Sequence, residues 1–314
     1  MITRETFTYD SRDENKTKVH AVKWISNTDK PTCIVQIVHG MSEYMERYDD
    51  FARFLAQQGM VVVGNDHLGH GKTVSEDQGT YGYFCKQDPA TVLVRDVHRL
   101  KKMTQEQYLG IPYVLIGHSM GSIIVRDYLT RYGTGIDGAV ILSTADYGKG
   151  TMNAAKFLAH LTSLFHKQTH ASGFLNAVVF GNNLKKIPDK RTTIDWMTSD
   201  SVIIDKYLED KYCGFTFTIN GFKTLFELLY RCGDMTNLRK IPKKLPVLIA
   251  AGTEDPVGNY GEAPKRLYDT YLNLDMTKVQ LKMYKGARHE LLNETIRENV
   301  YKDLLNWILT VSNS

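Results

Sequence analysis

In Gly117-His118-Ser119-Met120-Gly121 the residue types and their spacing could support covalent chemistry. A serine flanked by glycines two positions away on either side suits a sharp strand-to-helix turn, where only small neighbours let the backbone approach. Such a turn holds the Ser119 hydroxyl at a helix N-terminus, where free backbone N–H groups and positive partial charge gather. A chance G-x-S-x-G arises in about one chain of this size in ten, so the flanking elements matter. Tyr113–Gly117 reads as a strand and Ser122–Tyr132 as a helix, which is the context this turn requires.

A serine hydroxyl is a weak nucleophile until a base takes its proton and a third group orients that base. Of the ten histidines, His289 lies in Gly286-Ala287-Arg288-His289-Glu290, between the last strand-like run and the last helix. Loops at the C-terminal ends of strands are where open α/β sheets build their sites. The acid should follow the strand Val247–Ala251, where Glu254 and Asp255 could both serve. Pro256 confines Asp255 to extended backbone and so favours it. Oxyanion donors are expected from the Met120 N–H and from Met41 N–H, in His39-Gly40-Met41-Ser42-Glu43-Tyr44 after strand Cys33–Val38. Gly40 would let that loop turn toward the serine, and His118 inside the elbow reads as packing or support.

These loops need a scaffold. Apolar runs at Cys33–Val38, Met60–Asn65, Tyr113–Gly117, Gly138–Ser143, Val247–Ala251 and Val279–Tyr284 alternate with helical patterns at Arg47–Gln58, Val92–Met103, Ser122–Tyr132, Ala263–Leu272 and Ile296–Val311. Near-continuous apolar strands alternating with helices imply a mostly parallel sheet covered on both faces. Thr6–Tyr9 and Val19–Trp24 add two strands, giving eight. The rhythm stops after Thr144 and resumes near residue 237. Residues 1–144 and 237–314 are therefore expected to form a core, with residues 145–236 a helical cap.

Lys and Arg number 39 against 35 Asp and Glu, a net charge of +4. The basic pairs are scattered, which argues against a nucleic-acid partner. Met1–Asp10 lacks the apolar stretch of a secretory signal, and no run approaches the ~20 apolar residues of a membrane span. The four cysteines form no CxxC pair. A cytoplasmic protein is expected. Asp66-His67-Leu68-Gly69-His70-Gly71 reads as a loop held by its own hydrogen bonds rather than as a metal site. Phosphate-cradling glycine motifs are absent, so neither metal nor cofactor is expected.

Taken together, these motifs resemble the α/β-hydrolase superfamily, and within it the monoacylglycerol lipase and lysophospholipase group of the serine aminopeptidase S33 family. The likeness spans essentially the whole chain. The segments that carry it are His39–Tyr44 with Arg47-Tyr48, the loop Asp66–Gly71, the elbow, and Gly286–Glu290. Asp195–Asp200 and Tyr212–Thr218 look like cap segments of that group. The resemblance places the triad on Ser119, Asp255 and His289, and so decides for Asp255. It implies a carboxylic ester hydrolase acting on monoacylglycerols or lysophospholipid-like acyl esters through an acyl-enzyme. An aminopeptidase or amidase, an acyltransferase, and a non-enzymatic lipid-binding scaffold are the alternatives. The apolar stripes of the cap, including Phe157, Leu161, Phe174 and Val178, either pack the cap onto the sheet or line an acyl tunnel. With Lys156, Lys167, Lys185 and Lys186 nearby, they could also touch lipid aggregates transiently. The substrate-binding set expected from this reading is Gly40, His118, Phe157, Leu161, Phe174 and Val178.

Overall fold

The computed structural model describes residues 1–313 except 27–29, 76 and 189. Its strands are β1 (Ile2–Asp10), β2 (Lys18–Ser26), β3 (Ile34–Val38), β4 (Val61–Asn65), β5 (Tyr113–His118), β6 (Gly138–Leu142), β7 (Val247–Gly252) and β8 (Val279–Tyr284). They form one sheet in the order β1-β2-β4-β3-β5-β6-β7-β8. β2 runs antiparallel to β1 and β4, and the pairs from β4 through β8 are parallel. The α/β-hydrolase fold class expected from the sequence is the one observed.

The helices are α1 (Asp49–Gln57), α2 (Pro89–Gln107), α3 (Met120–Tyr132), α4 (Lys149–Phe165), α5 (Gly173–Phe180), α6 (Ser201–Glu209), α7 (Ile219–Cys232), α8 (Met235–Leu238), α9 (Glu262–Leu272) and α10 (Arg297–Ser312). Every residue of β3 through β7 is buried, which explains their near-continuous apolar runs. One core layer joins Leu115 and Ile141 to Leu93, Val97 and Tyr128 of α2 and α3. The other joins Val114 and Ile116 to Phe51 and Leu55 of α1 and to Leu304 and Ile308 of α10. The outer strand β1 carries mostly exposed Thr, Arg and Glu, so the sheet edge is polar and resists pairing with another chain.

Helices α4 to α8 all fall between β6 and β7. Helix α7 carries a broad buried face and packs between α4 and α3. Buried Arg126 of α3 anchors the departing chain through Ala145 O at 2.6 Å and Asp146 Oδ1 at 2.7 Å. Gly59 sits at φ +81° just after α1, the left-handed position glycine favours. At Gly133 α3 passes into a short 3-10 turn, and a side chain there would meet the Pro242 ring.

Candidate active site

β5 ends at His118 and α3 begins at Met120, so one residue makes the whole reversal. Ser119 adopts φ 53° and ψ −120°, a conformation costly for a non-glycine residue and held only by its surroundings. Its N–H donates to Leu142 O at 3.0 Å, while its carbonyl accepts from Ser122 N at 2.9 Å. A side chain at Gly117 would collide with the Gly121 carbonyl, and one at Gly121 with the Val38 carbonyl. The two glycines are therefore required by backbone contact across the elbow.

The chain brings together three residues from three strand ends. His289 Nε2 lies 2.9 Å from Ser119 Oγ, and its Nδ1 lies 3.0 Å from Asp255 Oδ1. A carboxylate can only accept, so Nδ1–H donates to Asp255, and Nε2 is left to accept the Ser119 proton. Asp255 and His289 are buried, while Glu254, one residue away, is exposed. Val257 N–H donates to the same Oδ1 at 2.9 Å. The His289 loop is tied to residues 195–198 by Glu290 N donating to Met197 O at 2.7 Å and by Arg288 Nη1 donating to Asp195 O at 2.6 Å.

A buried polar cluster that the residue types alone did not reveal sits beneath this relay. Glu43 Oε1 accepts from Gly40 N at 2.5 Å and from Tyr48 Oη at 2.7 Å, and His118 Nδ1 is 3.1 Å away. Arg47 bonds Glu43 Oε2 at 2.8 Å and grips both Glu290 oxygens at 2.7 Å. Arg47 therefore joins the loop before α1 to the residue after His289, 243 positions along the chain. Burial alone would keep Glu43 protonated, but His118 and Arg47 outweigh it and hold the carboxyl well below its usual range. Burial likewise opposes charge on His118, yet the Glu43 carboxylate raises its pKa above the ordinary value. The outcome is an ion-pair network of the well-satisfied kind that a buried charge needs.

This cluster fixes the loop His39–Tyr44. A side chain at Gly40 would meet Glu43 Oε1 and come within 3.1 Å of Ser119 Cβ, so glycine lets the loop lie against the elbow. The loop Asp66–Gly71 buttresses it from behind. Asp66 accepts from Met45 N and Lys72 N, both at 2.8 Å. His39 Nε2 accepts from His67 N at 3.0 Å, and His70 Nε2 accepts from Ser42 N at 3.3 Å. Burial holds all three histidines neutral, pushing His67 down to about 3 and His70 down to about 4. Their ring nitrogens mostly serve as backbone partners.

With this geometry in view, the sequence profile of the serine aminopeptidase, S33 family matches residues 29–296. The chain belongs to that family. Human monoglyceride lipase is 26% identical over 295 residues, covering 90% of this chain and 84% of that protein. The monoacylglycerol lipase of Mycolicibacterium smegmatis is 26% identical over 292 residues, covering 91% of each. A thermostable carboxyl esterase from Bacillus coagulans, solved with glycerol, superposes with TM-score 0.90 at 28% identity over 99% of both chains. This S33-family protein is a carboxylic ester hydrolase.

Two cavities open beside Ser119 in this hydrolase. The larger, about 400 Å³, is walled in part by Met41, His118, Trp196, Tyr207, His289 and Glu290. The smaller, about 60 Å³, is walled in part by Met41, Ser119, Met120 and Ile123. Phe180 borders both and stacks on Trp196 at 5.8 Å, and Trp196 lies 5.3 Å from the His289 ring. His118 thus joins the site wall and Gly40 lies close behind it, but the four cap residues expected to line the pocket border neither cavity. Phe157 and Phe174 are 63% and 57% exposed, and Leu161 and Val178 also face outward. The reason is helix packing. α4 meets α7 through Met152, Ala155 and Ala159, small enough for close approach, which turns its large residues away. Trp196, Phe180, Leu184 and Ile194 take their place on the wall. Trp196 and its neighbours sit in a segment the family resemblance had marked, and that was the one available signal.

Proposed function

We propose that this hydrolase cleaves monoacylglycerol-type or lysophospholipid-like acyl esters through an acyl-enzyme formed on Ser119. The supporting observation is the relay of Asp255, His289 and Ser119 at the junction of two cavities. Ser119 Oγ attacks the ester carbonyl as His289 Nε2 takes its proton, while Asp255 holds the imidazolium that forms. The N–H groups of Met41 and Met120 receive the oxyanion. His289 then returns the proton to the departing alkoxide, and a water molecule activated by the same nitrogen releases the carboxylate. Every proton in this cycle moves through His289.

In this reading residues 145–236 act as a cap that closes the acyl site. Exposed Phe157, Leu164, Phe165, Phe174 and Val178 on α4 and α5, with exposed Lys167 and Lys185 beside them, give that cap a face suited to an anionic lipid aggregate. Among the described residues no helix is long and apolar enough to cross a membrane. An aminopeptidase would need a free carboxylate for the substrate ammonium. Glu43 and Glu290 on the cavity wall are already paired with Arg47, and Asp210 accepts from Tyr44 Oη at 2.8 Å, which favours esters. Ser119→Ala should lower kcat/KM on monoacylglycerols about a thousandfold or more and abolish labelling by a fluorophosphonate. The same panel should include lysophospholipids, an aminoacyl amide and a competing alcohol acceptor. Near-normal turnover by the variant, or preference for the amide, would overturn the proposal.

A further inference from the structure

A groove of about 640 Å³ runs along α2, bordered by the turn between β1 and β2 and by the end of α3. It shares no residue with the cavities beside Ser119. Arg95, Arg99 and Lys102 follow one another along α2 at spacings of four and three, and Arg12 reaches the groove from the turn. Residues so spaced are neighbours on a helix, and like charges there repel. Glu106 is the one carboxylate on the groove wall. The other acids nearby are engaged elsewhere: Asp96 by Ser11 Oγ and Arg12 N, Asp13 by Thr17, and Asp10 by Lys18. Most arginines of this chain put the guanidinium on a protein oxygen, as Arg47, Arg126, Arg231, Arg288 and Arg297 do. Among the described residues Arg12, Arg95, Arg99 and Arg239 have no such bond, and three of these four line the groove. Arg99 Nε is sealed from water and donates to no described group, an unsatisfied donor that costs stability in the chain alone.

We propose that this groove binds a compact ligand carrying two or three linked phosphate groups. Four cations against one carboxylate leave a surplus that a single phosphate, with about two negative charges, does not match. A di- or triphosphate matches it and can engage Arg12 and the α2 stripe together. Guanidinium forks suit phosphate oxygens, which an ammonium meets only as a point charge. His98 stacks on Tyr132 with ring centroids 3.9 Å apart and planes 9° apart, giving the groove a flat aromatic wall. The cluster is confined to one groove, and the chain as a whole carries only +4, which fits a small solute rather than a polyanionic polymer. None of the lining residues falls within 145–236, so occupancy needs neither the cap nor the ester chemistry.

Titration calorimetry of the full chain with inorganic tripolyphosphate, ATP and inorganic phosphate tests this at low and high salt. Tripolyphosphate should bind with Kd below about 100 µM at low salt, about tenfold or more tighter than phosphate, and weaken as salt rises. Arg95→Gln combined with Arg99→Gln should weaken it by about tenfold or more. Arg12→Gln, in an exposed turn, repeats the test without touching α2. Arg239→Gln, an unbonded arginine outside the groove, should leave binding unchanged, and ester turnover should be unaltered in every variant. Phosphatidylcholine vesicles, bare or carrying a phosphatidylinositol bisphosphate, separate the two sources of linked or clustered phosphates. Capture that depends on Arg95 and Arg99 assigns the phosphates to a lipid headgroup, and binding in solution without capture assigns them to a free solute. Kd above about 1 mM for both tripolyphosphate and ATP, or phosphate bound as tightly as tripolyphosphate, would overturn the assignment. So would groove variants that bind as the native chain does, or an equal loss with Arg239→Gln.

Discussion

Glu43→Gln tests whether the buried cluster under the relay positions the oxyanion loop. Glutamine keeps the shape and leaves one oxygen to accept from Gly40 N and Tyr48 Oη. Its amide nitrogen, however, turns a donor toward Arg47 Nη1, which bonds Oε2 at 2.8 Å in the native chain. Arg47 retains two bonds to Glu290 at 2.7 Å, so one charge-assisted bond is lost while the pair survives. That loss is worth about 2–3 kcal/mol. With an unfolding entropy of about 2 cal/mol/K per residue over 314 residues, the melting temperature should fall by about 3–5 °C. The Met41 donor is loosened rather than removed, so kcat should fall by about tenfold to a hundredfold, below the full cost of deleting an oxyanion donor. The deficit should also depend on pH. The pKa of His118 is raised in the folded chain, so its contribution is complete below about 6.5 and lost as pH rises through the folded value. Glu43 is depressed, so its contribution is present above about 4.3 and lost only as pH falls through a much lower value. The stability gap between wild type and variant should therefore be widest near pH 5–6 and shrink toward pH 9. Thermal unfolding followed by circular dichroism at both pH values, with turnover of a soluble ester, measures both effects. A variant within 1 °C and twofold of wild type at pH 6 would refute the positioning role.

Three further outcomes follow from separate parts of the structure. Gly121→Ala would push a methyl into the Val38 and His39 carbonyls, backbone that has nowhere to move, so denaturant unfolding should show a loss of about 3 kcal/mol or more, and esterase activity should vanish with it. Asp96 is buried, accepts from Ser11 Oγ and Arg12 N, and is raised by that burial from 3.8 to about 7. Its contribution is full below about pH 4 and lost as pH rises through 7, so Asp96→Asn should gain on wild type between pH 5 and 8, by at most about 4 kcal/mol; parallel stability curves would contradict this. Phe157→Ser with Phe174→Ser should weaken binding to anionic vesicles by roughly 2 kcal/mol, about thirtyfold, since both rings are already more than half exposed; equal sedimentation of wild type and variant with vesicles would exclude that face.

What the sequence made legible, and what it did not, divides along one physical line. Features encoded within a few residues could be read directly. Ser119 sits where a strand run meets a helix run, Pro256 restrains Asp255, and five strands buried on both faces write themselves as near-continuous apolar runs. Features encoded by distant partners could not. Glu43, Arg47 and Glu290 lie in segments that the family resemblance marked, but their charges alone say nothing of their pairing, and the bond across 243 positions exists only once β3 and β8 share a sheet.

The cap shows the same limit in a different form. The helical period groups Phe157, Leu161 and Leu164 on one side of α4 and Met152, Ala155 and Ala159 on another, without saying which side is buried. By hydrophobicity the larger residues should be inside, yet α7 selects the smaller set because its own face is already bulky with Phe222, Phe226 and Leu229. The choice is made by complementarity of volume between two helices, and volume complementarity is a property of the pair. The larger apolar residues are thereby left largely facing solvent. A cap that keeps large rings in water while small ones face its own core is organised to meet something apolar beyond itself. Under the proposed reading of residues 145–236 as a cap, a lipid surface would be the environment in which those exposed rings lower the free energy rather than raise it.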